Sequence, residues 1–147
     1  MSGVEGVGSK VTASRVVELP RIQTEVGDLV ICEKGLDLSW IPTRTYFLYD
    51  VPDGAMRGGH AHKELHQLIV AVSGSFDVLL KDGAGEKLVT LRSPQRGLLL
   101  PPGLWREILN FSGGSICLVL ASHKYDEQDY FRDWNDFVIW KHHQSAG

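Results

Sequence analysis

Cysteine is scarce in this chain, and long hydrophobic runs and a strong excess of either charge are missing. The 147 residues include two cysteines, Cys32 and Cys117, which both lie in apolar stretches. This pattern favours buried thiols in a reducing cytoplasm over a disulfide. The net charge of −3 gives no general attraction to nucleic acid. No apolar run approaches the ~20 residues of a membrane span, and the N-terminus lacks a signal peptide's basic start. We therefore expect a cytoplasmic protein with neither nucleic-acid nor membrane partners.

Helical periodicity is also nearly absent, and short strand-like segments separated by turns dominate the chain. Clusters of Gly, Pro, Asp and Ser supply the turns. The candidate strands are residues 28–34, 44–51, 66–73, 75–81, 87–92, 97–101, 105–111 and 116–122. Such regularly spaced strands predict an all-β protein, a sandwich or a barrel. Residues 1–14, rich in Gly, Ser and Val, predict a loose N-terminal tail, and residues 15–147 predict a single domain.

The segment from residue 125 to residue 143 follows a different pattern. Its aromatic side chains recur at three- to four-residue spacing and are Phe131, Trp134, Phe137 and Trp140. This spacing predicts a short amphipathic helix or turn, followed by an extended end that carries Val138 and Ile139. An aromatic end of this kind needs a surface to cover. The surface is either an open end of the chain's own barrel or a second copy of the chain.

Two histidines one residue apart mark the most informative stretch, Arg57-Gly58-Gly59-His60-Ala61-His62. Alternate residues of a strand point to the same side, so both imidazoles share one face. Glycines permit a close backbone approach that a packed core strand has little reason to need, which favours a functional pair over structural histidines. His66 keeps the same parity if the strand is unbroken. It is either a third metal ligand or a solvent-facing residue at a strand entry, and we favour the second interpretation.

The spacing around this pair is that of a cupin, a jelly-roll β-barrel. It runs from Gly54 through five residues, His60-x-His62, four residues, Gln67 and six residues to Gly74. A metal-binding cupin has Glu in place of Gln67 and a third histidine in place of Arg106. A permanent cation in that position repels a divalent ion and attracts an anion. The expected protein therefore retains the cupin scaffold and uses neither metal nor another cofactor. The alternative is a metal-dependent cupin enzyme, such as a dioxygenase, that uses the three nearby histidines.

Two further arginines and a tyrosine complete the candidate site. Arg57 precedes His60 by three residues, and Arg44 begins the strand that carries Tyr46 on the same face. A guanidinium fork matches a phosphate group, although either arginine could equally be a surface cation. Tyr46 or Arg106 could stabilise an oxyanion.

Six segments of the chain together resemble one family. They are residues 44–50, 57–63, 93–97, 102–106, 118–122 and 125–132. Over about residues 20–140 they resemble the WxcM-like cupins that act as nucleotide-sugar 3,4-ketoisomerases. The resemblance implies that a homodimer, exchanging an N-terminal strand, converts dTDP-4-keto-6-deoxyglucose to its 3-keto isomer without a metal. A ketoisomerase for another nucleotide sugar and a non-catalytic sugar-sensing cupin are the remaining alternatives.

The resemblance also implies residue roles. By motif position His60 is the catalytic base, His62 and Tyr46 lie beside the sugar, and Arg57 holds the pyrophosphate. The other substrate-binding residues are then Arg44, Gln67 and Arg106. Independently of the resemblance, moving a carbonyl between adjacent carbons needs a proton to leave one carbon and arrive at the other through an enediol. An imidazole with an ordinary pKa of about 6.5 can take and return that proton near neutral pH.

Overall fold

In the computed structural model, which describes residues 9–35 and 38–146, β-strands dominate. The strands are β1 (Arg15–Glu18), β2 (Arg21–Thr24), β3 (Gly27–Val30), β4 (Arg44–Tyr49), β5 (Arg57–His62), β6 (Gln67–Ser73), β7 (Phe76–Lys81), β8 (Glu86–Leu91), β9 (Arg96–Leu100), β10 (Trp105–Leu109), β11 (Ile116–Ala121) and β12 (Tyr130–Phe131). Helix α1 (Trp134–Ala146) follows them, and 3-10 turns span Val11–Ala13 and Glu127–Asp129.

Ten of these strands form two five-stranded antiparallel sheets. The first has the order β1-β9-β6-β11-β4 and the second the order β12-β5-β10-β7-β8, while β2 and β3 form a separate two-stranded sheet. Spatial neighbours are therefore mostly distant along the chain, as in a jelly roll. The predicted all-β jelly roll is confirmed. Its two sheets stay separate, however, and do not close into one continuous barrel.

The hydrophobic core lies between the two sheets. Along β7, buried and half-buried residues alternate, so Phe76, Val78 and Leu80 point inward as the period of two requires. They meet Ile69, Leu98 and Val119 of the other sheet in one cluster. Burial of apolar area at about 25 cal/mol per Å² is the main stabilising contribution here. Cys117 belongs to this cluster, so the predicted burial of its thiol is confirmed.

The C-terminal segment differs from its prediction. Val138 and Ile139 lie inside α1, so the predicted extended end is wrong. The helix starts where the Asp133 carboxylate accepts the backbone N–H of Asp136 at 3.0 Å, which supplies a partner for an otherwise unpaired helical donor. Because the aromatic residues keep their helical spacing through Trp140, one continuous face stays available for packing.

Helix α1 covers its own chain. The Phe137 side chain is fully buried in a cluster with Ala61 and Trp105, its ring centroid 5.9 Å from that of Trp105. The surface that this aromatic segment covers is therefore the outer face of the β5–β10 pair. Neither an open barrel end nor a second copy is needed for its central aromatic residue.

The predicted loose tail is only partly within the described residues, because residues 1–8 lie outside them. For residues 9–14 the prediction is wrong. The Val11 side chain belongs to the main core, and its backbone N–H donates to the Asp82 carboxylate at 2.9 Å. The packed domain thus extends to the N-terminal side of Arg15.

The hairpin formed by β2 and β3 belongs to neither of the two large sheets. The sequence pattern missed β2 and placed the end of β3 too late, at residue 34 instead of Val30. Nearly all of its side chains are exposed, including the apolar Ile22 and Leu29, and Val26 at the turn is 98% exposed.

Within residues 9–35 and 38–146, no helix has the length and apolar character needed to cross a membrane.

Candidate active site

Polar side chains from both sheets replace the apolar core at one place between the sheets. His60 and His62 extend from β5, and Arg106 extends from β10, where it is paired directly opposite His60. Gln67 from β6 and Tyr46 from β4 approach from the other sheet and are joined by a hydrogen bond. The structure therefore brings together five of the seven residues that the sequence predicted for the site.

A β-bulge at Gly58 and Gly59 shapes the entry to the histidine pair. Arg106 faces His60, and Ile108 faces Arg57, so three steps on β5 match two steps on β10. Both glycines have positive φ, +97° and +24°. A Cβ on Gly58 would also lie 3.3 Å from the Arg106 carbonyl oxygen, so only glycine fits without strain. Simple alternation would put Arg57 and His60, three residues apart, on opposite faces of β5. Because the bulge adds one residue, Arg57 lies on the same face as His60.

The bulge also orients His60. Its Nδ1–H donates to the carbonyl oxygen of Gly58, two residues earlier. This contact leaves the unprotonated lone pair on Nε2, because a neutral imidazole has one donor and one acceptor nitrogen. Gly58 therefore sets both the backbone path and the tautomer of the neighbouring histidine.

A carboxylate orients His62. The His62 side chain is fully buried, and its Nδ1–H donates to Asp129 Oδ2 at 3.0 Å. The other oxygen, Asp129 Oδ1, accepts the backbone N–H of Glu64 at 2.8 Å, and the Asp129 carbonyl accepts the Lys63 N–H at 2.9 Å. Because both carboxylate oxygens are occupied, Asp129 holds the His62 ring in a single orientation and tautomer.

Both acceptor nitrogens stay available. The Nε2 atoms of His60 and His62 are buried and have no hydrogen-bond partner among the residues described. The two rings are nearly perpendicular, with centroids 4.9 Å apart. Tyr130 on β12 lies against both, at 5.1 and 4.4 Å from their centroids, and Arg132 covers the outer side of the Tyr130 ring at 4.2 Å. Unpartnered buried acceptors of this kind indicate a place prepared for another molecule.

Electrostatics keeps both histidines neutral in the free protein. Burial lowers the pKa of His60 to about 2, and the nearby charge of Arg106 acts in the same direction. Burial also lowers the pKa of His62, to about 4, with Asp129 opposing the shift. Both imidazoles are therefore ready to accept a proton at neutral pH, and an anion bound between them and Arg106 would raise their proton affinity.

Gln67 and Arg106 occupy the places where a cupin metal site needs ligands. The Arg106 side chain is 1% exposed, and its Nη1 donates to Gln67 Oε1. Its Nε and Nη2 donate to the Leu104 carbonyl oxygen at 3.3 and 3.1 Å. The amide oxygen that could face a metal is thus taken up by a buried cation, so these residues do not fit a divalent ion. In the described part of the chain, no group of three His, Cys, Asp and Glu side chains is placed to bind one.

The same network prepares Tyr46 as a donor. Gln67 Nε2 donates to the Tyr46 hydroxyl at 3.1 Å, so the hydroxyl proton is directed elsewhere. Burial raises the pKa of Tyr46, although Arg106 opposes this effect. The hydroxyl is therefore protonated at neutral pH and can donate to an oxyanion. Tyr49, in contrast, is exposed on the opposite face of β4, as its position in the strand predicts.

The remaining predicted residues lie at the edge of the site or outside it. The Arg44 guanidinium is 4.7 Å from the Tyr46 ring centroid and 5.3 Å from that of Tyr125, while Arg57 is exposed at the start of β5.

His66 does not keep the parity of the histidine pair, because the chain leaves strand geometry after His62 and re-enters it at Gln67. Its ring packs near Trp40, and the described residues contain no metal-binding group that joins it to the histidine pair, so the alternative of a third metal ligand is wrong. The favoured position at a strand entry agrees with the place of His66 directly before β6, although its side chain is half-buried and does not face solvent fully.

Asp129 and Tyr130 are site residues that the sequence pattern did not reveal. Both belong to residues 125–132, one of the segments that resemble the family, in a part of the chain whose own pattern predicts only a short helix or turn. The available signal was the family resemblance of that stretch, since residues shared without an evident packing role often belong to a site. Strand β12 brings Tyr130 opposite His62, a pairing that local patterns cannot show.

Comparisons with known proteins show the family to which the chain belongs. The family described as FdtA: WxcM-like, C-terminal matches residues 12–142. A TDP-4-oxo-6-deoxy-alpha-D-glucose-3,4-oxoisomerase from Aneurinibacillus thermoaerophilus is 37% identical over 124 residues, which cover 84% of this chain and 89% of the relative. The structure of QdtA, a sugar 3,4-ketoisomerase from Thermoanaerobacterium thermosaccharolyticum in complex with TDP, matches with a TM-score of 0.88 at 32% identity, over 92% of this chain and 98% of that chain.

A further structure of QdtA is informative because of what it contains. This histidine-to-asparagine mutant, in complex with TDP-4-keto-6-deoxyglucose, matches with a TM-score of 0.89 at 30% identity, over 94% of this chain and 100% of that chain. The family match covers most of the chain, and the fold similarity to two structures of QdtA agrees with it. This chain belongs to the FdtA family of WxcM-like C-terminal domains.

Proposed function

We propose that this nucleotide-sugar 3,4-ketoisomerase converts TDP-4-keto-6-deoxyglucose to a TDP-3-keto-6-deoxyhexose by proton transfer through His60. The observation that carries the proposal is the pair of buried imidazoles whose Nε2 atoms lack a partner in the described structure, while each Nδ1–H is held. The substrate named for the related oxoisomerase and bound in the related mutant supports the choice of sugar nucleotide.

The net reaction moves one proton from carbon 3 to carbon 4 and one from the oxygen on carbon 3 to the oxygen on carbon 4, and it needs no redox partner. A base removes the hydrogen on carbon 3 of the sugar, and the electron pair of that C–H bond forms the C3=C4 bond of an enediolate. The former C4 carbonyl oxygen carries the negative charge and takes up a proton. A proton then adds to carbon 4 while the hydroxyl on carbon 3 loses its own, which leaves a carbonyl there. Atoms and electrons balance within the sugar.

His60 is the proposed base. Its Nδ1–H is held by the Gly58 carbonyl, so Nε2 is the atom that takes the proton. The lowered pKa of His60, caused mainly by burial, ensures that this nitrogen is unprotonated when substrate arrives. Once the enediolate forms, its negative charge stabilises the imidazolium in the same buried space. His62, oriented by Asp129, lies beside the sugar and completes the proton-handling pair.

Tyr46 and Arg106 are the proposed partners of the enediolate oxygen. The Tyr46 hydroxyl oxygen accepts a hydrogen bond from Gln67 Nε2, so its own proton is available for the oxyanion. Arg106 supplies a fixed positive charge from the opposite sheet. A preorganised donor of this kind typically contributes about 2.7–4 kcal/mol to the barrier reduction. In this proposal Gln67 is not a metal ligand. Its side-chain amide joins Tyr46 and Arg106 by hydrogen bonds.

The nucleotide is proposed to bind at the edge of the site through Arg57 and Arg44. The bulge places Arg57 on the face of His60, and its guanidinium is exposed and suits a pyrophosphate. Arg44 lies between two tyrosine rings. The TDP bound in the related ketoisomerase supports a thymidine nucleotide.

We also propose a homodimer in the cytoplasm. The β2–β3 hairpin exposes the apolar side chains of Ile22, Val26 and Leu29, which a second copy of the chain would cover. An N-terminal exchange of this hairpin is compatible with its lack of ladder pairing to either large sheet. The low cysteine content supports a reducing compartment.

The test follows the sugar by NMR. The protein is incubated with TDP-4-keto-6-deoxyglucose in deuterated water, and a 3-keto product carrying deuterium at carbon 4 is expected. His60→Asn should abolish product formation and retain TDP binding, whereas His142→Asn, at an exposed position on α1, should keep full activity. A folded wild-type protein without product refutes the proposed substrate. Loss of wild-type activity on treatment with a chelator would favour the metal-dependent alternative.

A further inference from the structure

Lys141 is a buried cation that the proposed chemistry does not use. It lies on α1 and is 5% exposed. Lysine is almost never fully buried unless it is paired, because removing an ammonium ion from water is unfavourable. Burial lowers the pKa of Lys141 to about 8, with the charge of Asp82 opposing this shift. A charge retained in such surroundings needs a reason.

The ammonium group joins two separate parts of the protein. Its Nζ donates to the Gly103 carbonyl oxygen at 2.6 Å and also to the Ser9 carbonyl oxygen. The Ser9 contact ties down the N-terminal segment, which Asp82 also holds through the Val11 N–H. The Ser9 contact therefore stabilises the N-terminal segment. The Gly103 contact involves a different part of the protein.

Gly103 lies in the turn between β9 and β10, next to the active site. Its N–H donates to the His62 carbonyl oxygen at 2.8 Å. The carbonyl oxygen of the following residue, Leu104, accepts both Nε and Nη2 of Arg106. Consecutive peptide groups of one turn thus contact the lysine, the backbone of His62 and the guanidinium of Arg106. Rotation of the Gly103–Leu104 peptide changes the backbone dihedral angles of Leu104, so it would displace the next peptide, whose Leu104 oxygen holds Arg106.

We propose that Lys141 is a positioning residue for the isomerisation, acting through the Gly103–Leu104 turn on Arg106 and His62. It touches neither substrate nor reacting atoms. Its ammonium sets the direction of the Gly103 carbonyl, and this fixes the turn against which both site residues are held. The claim about catalysis depends on the proposed function, while the claim about position concerns the free protein.

The test compares Lys141→Met with a matched variant in the N-terminal segment. Lys141→Met keeps the aliphatic stem and removes both donated hydrogen bonds. Val11→Ala loosens the N-terminal segment and leaves the Gly103 contact intact. Both are assayed at the same interval below their own Tm. We expect kcat of Lys141→Met to fall about tenfold or more, since a misplacement of about 1 Å can cost about 100-fold in rate. Its Kd for TDP and the kcat of Val11→Ala should stay within about twofold.

A substrate-independent measurement separates the two proposals. The NMR signal of the Arg106 Nε–H should shift in Lys141→Met and stay unchanged in Val11→Ala, whether or not the wild type turns over the chosen sugar. An unshifted Arg106 signal, or equal losses of kcat in both variants, overturns the positioning role. If Lys141→Met does not fold, Lys141→Leu, which also lacks a donor for the Gly103 oxygen, is measured by the same two criteria.

Discussion

Replacing Asp129 by asparagine tests how the histidine pair is prepared. Asp129→Asn keeps the side-chain shape and converts one acceptor oxygen to an NH₂ donor. Both oxygens now accept N–H groups, from His62 Nδ1 at 3.0 Å and from the Glu64 backbone at 2.8 Å. Since the backbone N–H cannot change, the amide oxygen should turn to Glu64 and the NH₂ to His62. His62 must then accept at Nδ1, which moves its proton to Nε2 and removes the lone pair that faces the site.

The expected loss can be worked out from these contacts. A hydrogen bond to a charged group contributes about 1.5–3 kcal/mol, so the free energy of unfolding should fall by about that amount. Loss of a correctly oriented polar group at the reacting centre raises the barrier by about 2.7 kcal/mol, which corresponds to about 100-fold in kcat. TDP binding should change by less than about twofold, because neither Asp129 nor His62 is proposed to contact the nucleotide.

The assay is product formation by NMR, with the ring nitrogens of His62 observed in the same protein. Asp126→Asn is the matched control, since Asp126 is exposed in the same loop and its side chain accepts the Gln128 N–H, which an asparagine oxygen can also accept. It should keep wild-type kcat. Wild-type kcat in Asp129→Asn, or a His62 Nε2 that stays unprotonated there, would refute the argument from tautomer control.

Two further predictions concern stability. Because burial lowers the folded-state pKa of His60 to about 2 and of His62 to about 4, stability present above pH 6.5 is lost as the pH falls toward these values. Urea unfolding should show a loss of up to about 1.4 kcal/mol per pH unit for each histidine. This loss of unfolding free energy with falling pH should be smaller in His60→Asn than in His142→Asn. Equal slopes of unfolding free energy against pH in the two variants would contradict this prediction. Gly58→Ala should lower stability by about 1–3 kcal/mol through its strained φ, with reduced kcat. Gly113→Ala should leave stability and kcat unchanged, because a Cβ at that position would meet no atom of the described structure within 4 Å beyond its chain neighbours. Equal effects of the two substitutions would argue against strain at the bulge.

Much of the fold could be predicted from local patterns. Turn residues and alternation with a period of two located eight strands to within a few residues, because strand formation here depends on which residues can face a shared core. The extended end predicted at Val138 and Ile139 is wrong, because these β-branched residues lie inside α1. Packing of Phe137 against Trp105 outweighs their weak helix propensity.

The candidate site was partly predictable for the same reason. His60 and His62 share a face by alternation alone, and the cupin spacing places Gln67 and Arg106 with them. Asp129 was missed because it follows His62 by 67 residues and reaches it only when β12 pairs with β5. A carboxylate in a polar, exposed-looking stretch carries no local mark of such a contact.

By itself, the sequence determined the alternation that builds two sheets, the histidine pair on one face and the loss of two cupin metal ligands. Each of these is a matter of residue type and spacing along a strand. Only the tertiary structure decided which nitrogen of each histidine is free, that a glycine bulge returns Arg57 to the face of His60, and that Lys141 reaches the turn behind Arg106. These depend on hydrogen bonds between residues distant along the chain, which form only when the sheets and the C-terminal helix have packed.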